Sequence, residues 1–445
     1  MELTRILQIG AGRSTASMIL ALANISQLEK WQYTVIDSNA HLLAEIKAQY
    51  PHIHVTTLKS QDASEWENHI ASHDVVISMV PAFLHPTVAK FCLIYKKHLF
   101  TASYISPEMK SLEPQVLKQG LLFMNECGLD PGIDHMSAQR IIDDLHRKGA
   151  KILGFESYCG GLVAPESDDN PWNYKFSWNP RNVVLAGQGM STFIHHKQLK
   201  TIPYHQLFDR IDEIEIPGYG IFEGYANRDS TSYEEVYGLK NLETLYRGTL
   251  RKLNYCRAWN FFVQLGLTDD TLKLSPQKIK TRKDLFALVL SDSTVENWVE
   301  EAKKLVPRAN LDDLIRKIEF LQLTKDIDLG FEKDFTPAQA LQSILEKHWV
   351  LAPGDRDMIA MVHLFKYELN GEILNLKSYL VLEGKDQIHT AIAATVGLPI
   401  AFAVESFMKG EVYDTGVKIP VHSKWHEPIL KKLENYGVIF KEIHH

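Results

Sequence analysis

The residues that could do chemistry are most concentrated at positions 125–135, where the chain reads Asn-Glu-Cys-Gly-Leu-Asp-Pro-Gly-Ile-Asp-His. This stretch combines carboxylates, an imidazole and two glycines. It follows an apolar, strand-like run at Leu121–Met124 and precedes an amphipathic helical pattern at 136–145, so rigid elements would hold its polar groups in place. Carboxylates and an imidazole held in this way are suited to moving protons. We therefore predict a functional loop here.

The same stretch has a simpler interpretation, as the start of a helix. Asp130 followed by Pro131 is typical of an N-cap with a proline in the first helical turn. Capping accounts for Asp130 alone. It leaves the crowding of Asn125, Glu126 and Asp134 beside it unexplained, and the functional interpretation is favoured for that reason.

A second candidate site lies in the first predicted turn, which reads Gly10-Ala11-Gly12-Arg13-Ser14-Thr15. Gly10 permits a tight turn, and Gly12 lets backbone amides approach a pyrophosphate at the positive end of the next helix. Thr15 stands where the usual fingerprint has a third glycine, so this motif alone is only moderately specific. Its place after a strand and before a helix favours a dinucleotide site.

Asp37 ends the second predicted strand, 25 residues past Gly12 (37 minus 12). A carboxylate at this point can accept hydrogen bonds from the adenosine ribose hydroxyls, which favours NAD. A 2′-phosphate would face the negative charge of Asp37. Arg13 and the polar Ser38 and Asn39 leave NADP open as the alternative.

The elements that must position these residues alternate in type along the first third of the chain. Apolar strand patterns occur at Arg5–Ile9, Tyr33–Ile36, Ile53–Leu58, Val75–Met79, His98–Ala102 and Leu121–Met124. Helical patterns lie between them, at Ala16–Ile25, Leu42–Tyr50, Thr87–Tyr95 and Met109–Lys118. This alternation predicts an α/β fold, a Rossmann-type doubly wound parallel sheet.

Ligands of such sheets collect at the carboxyl ends of the strands. We therefore expect the nicotinamide end of a dinucleotide to be bordered by three loops, which contain Met79, Val80 and Pro81; Ala102, Ser103 and Tyr104; and Gly128, Leu129 and Asp130. Asp62, past the third strand, is a candidate neighbour of the adenine.

The pattern changes beyond the sheet. Strand-like segments occur at Leu153–Tyr158, Gly220–Ala226, Tyr246–Cys256, Met358–Tyr367 and Lys377–Leu382. We predict three domains: a dinucleotide-binding domain at 1–130, completed by a helix near 388–408; an α+β substrate domain at 131–268 and 350–387; and a helical insertion at 269–349. Substrate is expected in the cleft between the first two domains.

Several longer motifs occur in order along nearly the whole chain. They are Thr-Ala-Ser-Tyr-Ile-Ser at 101–106, Gly-Leu-Asp-Pro-Gly-Ile-Asp-His at 128–135, Tyr-Cys-Gly-Gly-Leu-Val-Ala-Pro-Glu at 158–166, Tyr-Lys-Phe-Ser-Trp at 174–178, Asn-Arg-Asp-Ser at 227–230 and Arg-Gly-Thr-Leu-Arg at 247–251. Together they resemble the L-glutamate-forming saccharopine dehydrogenase family.

The resemblance implies a homodimeric, nicotinamide-dependent enzyme of lysine metabolism that interconverts saccharopine with L-glutamate and 2-aminoadipate 6-semialdehyde. Carried over by motif, the saccharopine site would be lined by Ser103, Tyr104, Asp130, Arg228, Thr249, Leu250 and Arg251. One departure concerns the cofactor: fungal members that use NADP carry an arginine-containing segment after the second strand. This chain has Ile36-Asp37-Ser38 there.

Saccharopine has three carboxylates and a secondary amine, so its pocket needs cations. The predicted strand 246–256 would put Arg247, Thr249 and Arg251 on one face, as a carboxylate clamp. The alternative is an exposed edge strand that carries charges. Arg228, in a separate loop, favours the clamp.

Oxidation of the amine would give an imine that water hydrolyses, so the site also needs acid-base groups. Asp130, Tyr104 and Lys175 are the candidates, and the sequence does not choose among them. His135 is more simply explained as a structural histidine bonded within its own loop.

Composition excludes several other classes. There are 48 basic and 55 acidic residues, with a net charge of -7, which gives no electrostatic argument for nucleic acid or an anionic membrane. Four cysteines without Cys-x-x-Cys spacing, and a His195-His196 pair without a third ligand, predict no metal site. With no leader and no apolar run near the ~20 residues of a membrane span, we expect a cytoplasmic protein.

Two rival interpretations remain. In one, the fold is the same but the substrate is another secondary amine, such as a carboxy-polyamine product. In the other, the chain binds NAD without catalysis. The intact polar loop at 125–135 argues against the second.

Overall fold

The computed structural model describes residues 4–59, 64–291 and 293–444. The chain divides into two compact units. We call them the parallel-sheet unit (Met1–Gly149 and Ile388–Phe440) and the mixed-sheet unit (Ala150–Gln387 and Lys441–His445).

The parallel-sheet unit is built on seven parallel strands in the described part of the chain. Numbered along the whole chain, they are β1 (Arg5–Ile9), β2 (Gln32–Asp37), β3 (His54–Thr57), β4 (Val75–Ser78), β5 (His98–Phe100), β6 (Leu122–Met124) and β15 (Gly416–Lys418), in the spatial order β15-β6-β5-β4-β1-β2-β3. The doubly wound sheet predicted from the βαβ alternation is confirmed.

Helices cover this sheet. They are α1 (Ala16–Glu29), α2 (Ala40–Gln49), α3 (Ser64–Ser72), α4 (His85–Tyr95), α5 (Pro107–Ser111), α6 (Glu113–Lys118), α7 (Ile133–Arg147), α16 (Ala391–Met408) and α17 (Ser423–Glu434). The prediction of a single helix at 109–118 is wrong. Pro114 lies in the first turn of α6 and lacks the N–H that would continue α5, so the chain starts a new helix.

The C-terminal segment of this unit contributes more than the helix predicted near 388–408. That helix, α16, packs on α1, and the chain then adds β15 beside β6 and places α17 against α7. His426 of α17 bonds Asp143 of α7 at 3.2 Å. The unit boundary therefore lies at Gly149 rather than at 130, because α7 packs with the C-terminal segment.

Within the described residues, α16 is long and apolar enough to cross a membrane by length and composition. No segment of that length and apolar character is expected from the sequence, and this expectation is wrong. However, 89% of the helix is buried inside the protein, the pattern of a core helix.

The close packing of α16 on the glycine turn gives a first prediction. A Cβ on Gly397 would lie 2.8 Å from Met18 Cβ and 3.2 Å from the Ser14 carbonyl oxygen. Gly397→Ala gains about 1 kcal/mol of helix propensity, but we expect overpacking of about 1–3 kcal/mol to exceed it. Urea titration should show a lower free energy of unfolding.

Gly154→Ala is the control for this change, because the nearest atoms to its added Cβ are 3.6 Å away. It should lose little stability. A Gly397→Ala protein more stable than wild type would show that the gain in helix propensity exceeds the cost of overpacking, and that Met18 and Ser14 can move to make room.

The mixed-sheet unit has its own sheet. Its strands are β7 (Lys151–Val163), β8 (Met190–His195), β9 (Gln198–Pro203), β10 (Asp212–Ile216), β11 (Gly220–Ala226), β12 (Thr244–Lys252), β13 (Asp357–Leu369), β14 (Glu372–Glu383) and β16 (Lys441–His444). The main path is β10-β11-β12-β7-β13-β14-β16, with β12 and β7 parallel and the other neighbours antiparallel. Strand β12 ends at Lys252, before the predicted Cys256, because a helix begins at Tyr255.

Helices of this unit are α8 (Pro180–Val184), α9 (Tyr204–Leu207), α10 (Tyr233–Val236), α11 (Tyr255–Gln264), α12 (Arg282–Val289), α13 (Trp298–Leu305), α14 (Leu311–Phe320) and α15 (Pro337–His348). The block predicted as a separate insertion, 269–349, shares one hydrophobic core with the sheet. In that core the ring of Trp172 stacks on Phe262, with centroids 5.3 Å apart, and packs at 5.5 Å from Trp349. The helices of this block bury their apolar faces against the sheet and belong to the same compact unit. The division into three domains stays a prediction.

Candidate active site

The parallel sheet brings the loops after β1, β2, β4, β5 and β6 to one edge, since parallel strands end on the same side. The predicted cofactor residues of the described chain lie in these loops: Gly10, Ala11, Gly12, Arg13, Ser14, Thr15, Asp37, Ser38, Met79, Val80, Pro81, Ala102, Ser103, Gly128, Leu129 and Asp130. Asp62 lies outside the described residues.

The glycine turn after β1 is held from two sides. Gly10 has φ +98°, and a Cβ there would lie 2.8 Å from the Met79 carbonyl oxygen, so only glycine fits. The Ala11 N–H donates to Asp37 Oδ2 at 2.7 Å. By contrast, a Cβ on Gly12 would meet no atom within 4 Å. The outer side of the turn is thus open to a ligand.

The loop at 125–135 owes its shape to a backbone crossing. Gly132 has φ +146°, and a Cβ there would lie 2.1 Å from the Gly128 carbonyl oxygen. This crossing puts the start of α7 at Ile133, with Gly132 at the N-cap position. The alternative interpretation of Asp130 as the N-cap is therefore wrong.

Most polar side chains of this loop are used within the fold. Glu126 Oε1 accepts from the Ile105 N–H at 3.0 Å, and Glu126 Oε2 lies 2.9 Å from His135 Nε2. Asp134 Oδ1 accepts from the Gly132 N–H at 2.6 Å. His135 is fully buried and bonded within its own loop, as the sequence predicts.

Asp130 differs from these residues, because it is half-buried rather than buried. Its partner is an ionisable side chain. The Tyr104 hydroxyl donates to Asp130 Oδ1 at 2.9 Å. Two of the three predicted acid-base candidates are thus brought together at the carboxyl edge of the sheet. A phenol bonded to a carboxylate can pass a proton between them.

A buried imidazole joins the strand ends beside this pair. His85, at the start of α4, has Nδ1 2.8 Å from Ser78 Oγ and Nε2 2.8 Å from Ser103 Oγ. Burial lowers the pKa of His85 to about 4. The imidazole is therefore neutral at physiological pH.

Arg251, on β12 in the mixed-sheet unit, lies inside a cage of tyrosine rings. Its guanidinium carbon is 5.3, 5.8 and 5.4 Å from the ring centres of Tyr174, Tyr225 and Tyr255. The side chain is 3% exposed, Nη1 donates to the Leu250 carbonyl at 2.9 Å, and Nε has no partner. No carboxylate of the described residues forms an ion pair with it.

Strand β12 lies between β11 and β7, so the alternative of an exposed edge strand is wrong. Arg247 is buried against the Tyr233 ring at 4.3 Å. Thr249 is half-buried and pairs in register with Tyr225. Leu250 is fully buried in the hydrophobic core, so a ligand contact there would come from its backbone.

Arg228 is exposed, with φ +49°, in the loop after β11. The neighbouring Asn227 N–H donates to the Arg247 carbonyl at 2.8 Å. Arg228 therefore lies beside the Arg247 end of β12, four residues or about 13 Å along the strand from Arg251.

Lys175 is buried between two carboxylates, 2.9 Å from Asp169 Oδ1 and 2.7 Å from Asp355 Oδ2. Burial acts to lower its pKa, but the bonds to the two carboxylates outweigh burial and raise it. A more firmly protonated lysine is a poorer base. The two ion pairs explain why a lysine is buried at position 175, and they give no support to the acid-base role predicted for Lys175.

Sequence reasoning missed His85 and the tyrosine cage. His85 begins α4, and a single histidine at the start of a helix belongs to no motif that would indicate a functional role. The three tyrosines come from a loop, β11 and α11, and no local pattern links them. Their convergence on Arg251 arises only in the folded unit.

Comparison with known families matches both units. Residues 6–124 match the model of the saccharopine dehydrogenase NADP binding domain, and residues 128–438 match that of the saccharopine dehydrogenase C-terminal domain. The chain belongs to the saccharopine dehydrogenase family. The junction of the two family models, 125–127, falls in the polar loop that carries Glu126.

Relatives in this family match the chain over different shares of their own length. The chain is 32% identical to a saccharopine dehydrogenase [NADP(+), L-glutamate-forming] of Pyricularia oryzae, over 99% of both chains. It is 35% identical to the mitochondrial alpha-aminoadipic semialdehyde synthase of Bos taurus, over 83% of this chain but only 40% of that longer protein. A solved structure, apo saccharopine dehydrogenase (L-Glu forming) from Saccharomyces cerevisiae, superposes with a TM-score of 0.87 at 30% identity, over 99% of this chain and 100% of that one.

Proposed function

We propose that this member of the saccharopine dehydrogenase family oxidises saccharopine with a nicotinamide dinucleotide and water, giving L-glutamate and 2-aminoadipate 6-semialdehyde in lysine metabolism. The names of the fungal relatives, which print saccharopine and L-glutamate, support the substrate and one of the two products. The cofactor supplies hydride transfer. The protein binds the tricarboxylate, orients it and handles the protons.

The observation that carries this proposal is Arg251. A guanidinium that is buried among neutral rings and forms no ion pair within the described chain is costly unless an anion joins it. The buried carboxylate of Glu223, opposite Arg251 across β11 and β12, instead accepts from the Asn254 and Cys256 N–H groups. Burial raises the pKa of the caging Tyr255 well above its usual value, so the cage itself supplies no counter-charge. The planar fork of Arg251 suits a carboxylate of saccharopine. Arg228, about 13 Å along β12, would serve another carboxylate of this extended substrate.

Acid-base work would belong to the Tyr104–Asp130 pair. Asp130 is half-buried at the carboxyl edge of the sheet, where the nicotinamide is expected. It would take the proton released when water adds to the imine, and Tyr104 would hold the carboxylate in place.

Cofactor choice gives a second prediction. The family model and the fungal relatives are named for NADP, whereas Asp37 favours NAD because its charge opposes a 2′-phosphate. Asp37→Asn keeps an oxygen for the Ala11 N–H and removes the charge. We expect the ratio of kcat/KM for NADP over NAD to rise about tenfold.

Asp74→Asn is the matched control for this change, since Asp74 also accepts from backbone N–H groups, those of Thr4 and Arg5, but lies just before β4, at the opposite edge of the sheet from the predicted cofactor loops. It should leave the cofactor ratio unchanged. An Asp37→Asn enzyme with the wild-type ratio would show that this carboxylate only holds the glycine turn.

The direct test of the proposed function is nicotinamide absorbance with purified protein and saccharopine, with NAD and NADP compared. Formation of reduced cofactor with one equivalent of L-glutamate is expected. Tight dinucleotide binding without turnover would favour the non-catalytic alternative, and turnover of a carboxy-polyamine instead would favour the other rival. The homodimeric state and cytoplasmic location stay predictions.

A further inference from the structure

We propose that His85 is a positioning residue that holds the Ser103 hydroxyl as a hydrogen-bond donor toward an acceptor oxygen of the bound ligand. This role rests on the proposed function, in which Ser103 borders both cofactor and substrate. The oxygen is a carboxylate oxygen of saccharopine or the carboxamide oxygen of the nicotinamide.

Ser78 is fully buried at the end of β4. In the described chain, the only side-chain bond of its hydroxyl is the one to His85 Nδ1 at 2.8 Å. A buried hydroxyl proton needs an acceptor. The Thr101 hydroxyl, also buried, is a competing donor to Nε2, but at 3.3 Å it lies farther from the ring than Ser78 does at 2.8 Å. The shorter contact assigns Ser78 as the donor and Nδ1 as the unprotonated nitrogen of the neutral ring.

The proton of the ring is then on Nε2. This nitrogen faces two hydroxyl oxygens, Ser103 Oγ at 2.8 Å and Thr101 Oγ1 at 3.3 Å. Thr101 Oγ1 also accepts from the Ser103 N–H at 3.3 Å, which holds the loop after β5 against the ring. Because the Nε2–H donates to Ser103 Oγ, the Ser103 hydroxyl proton is left to point at the ligand.

Neutrality of the ring fits this arrangement. The same burial that lowers the pKa of His85 prevents a second ring proton, which would compete with the Ser78 hydroxyl proton at Nδ1. The tautomer is thus set by the serine at the end of β4, and it determines the hydrogen-bonding role of the serine in the loop after β5.

The test compares His85→Leu with His85→Gln in the full-length protein, each in the wild-type and Ser103→Ala backgrounds. Leucine removes the donor, and we expect a roughly tenfold or larger loss in kcat/KM. Glutamine restores an N–H donor and should recover most of it. In the Ser103→Ala background, His85→Leu should cost nothing further. A rise in KM for saccharopine or in Kd for the dinucleotide identifies the acceptor.

His73→Leu is the matched control, because His73 is an equally buried imidazole of the same unit, 4% exposed like His85, that bonds Thr34 and the His69 carbonyl. Both leucine variants are expected to lose stability, but only the His85 variant should lose kcat/KM. Equal kinetic losses, or a full His85→Leu effect in the Ser103→Ala background, would overturn the proposal.

A second measurement does not depend on turnover. The ¹⁵N spectrum of the ligand-free protein should show Nδ1 of His85 unprotonated and Nε2 protonated, and the reverse tautomer would overturn the proposal. If the wild type fails to oxidise saccharopine, the proposed function fails; the positioning role is then judged by this spectrum and by equal weakening of dinucleotide binding in the His85→Leu and Ser103→Ala proteins.

Discussion

Replacing Arg251 by methionine should abolish saccharopine turnover without lowering the melting temperature. The loss of a charge that binds a carboxylate inside the protein costs about 2–5 kcal/mol of binding, so kcat/KM should fall about 30- to 4,000-fold. In the ligand-free protein the same substitution removes a desolvated cation that has no carboxylate partner in the described chain. Apolar replacement of such a group is neutral or stabilising.

Two measurements separate these effects. Thermal unfolding without ligand should give a melting temperature no lower than that of wild type. Added saccharopine should raise the melting temperature of wild type but not of Arg251→Met, because only a bound ligand stabilises the folded state. Arg251→Lys keeps the charge but loses the planar fork, and should recover only part of the activity.

Arg282 provides the matched control. It is also a buried arginine of the mixed-sheet unit, 4% exposed, with Nη1 donating to the Leu321 carbonyl at 2.7 Å. Arg282→Met should change stability alone. If Arg251→Met instead melted several degrees lower and bound saccharopine normally, the tyrosine cage would be a structural feature and the proposed carboxylate site would be wrong.

The second large effect is expected at the Tyr104–Asp130 pair. Asp130→Asn keeps an oxygen that can accept from Tyr104 but removes the proton acceptor, so turnover should fall about 10²- to 10⁴-fold. Tyr104→Phe removes the hydrogen bond at 2.9 Å. The double variant should be little worse than Asp130→Asn, because two residues that act as a unit are not additive.

The pH dependence of kcat identifies the role of the pair. In wild type, kcat should fall toward low pH as the catalytic base becomes protonated. This acidic limb of the profile should be lost in Asp130→Asn. Tyr95→Phe serves as the control, since Tyr95 donates to Glu67 Oε1 at 2.6 Å in the same unit, away from the strand ends, and this variant should keep wild-type kinetics. An unchanged kcat with a raised KM in Asp130→Asn would assign the carboxylate to binding.

Much of the fold could be predicted from the sequence because the signals for it are local. Hydrophobic periodicity is a property of one element at a time. The glycine turn and Asp37 are likewise recognised from a few neighbouring residues. The longer motifs, such as that at 128–135, identify the family for the same reason, since they are contiguous.

The unit boundaries could not be predicted in this way. Strand β15 is three residues long, Gly416–Lys418, and pairs with β6 almost 300 residues earlier, since Gly416 lies opposite Leu122 (416 minus 122). Pairing at such a distance depends on where the intervening chain folds, and a short strand has too few residues to show a period.

The candidate site could likewise be predicted only in part. Sequence alone determined which residue types stand at the strand ends and in the motifs, Asp130, Tyr104 and Arg251 among them, because each belongs to a contiguous pattern. Only the tertiary structure decided that Tyr104 bonds Asp130, that Lys175 is held by two carboxylates, that His85 joins two strand ends, and that rings from three segments surround Arg251. These are contacts between residues far apart in the chain, and they form only when the packing of whole elements brings their side chains within a few ångströms.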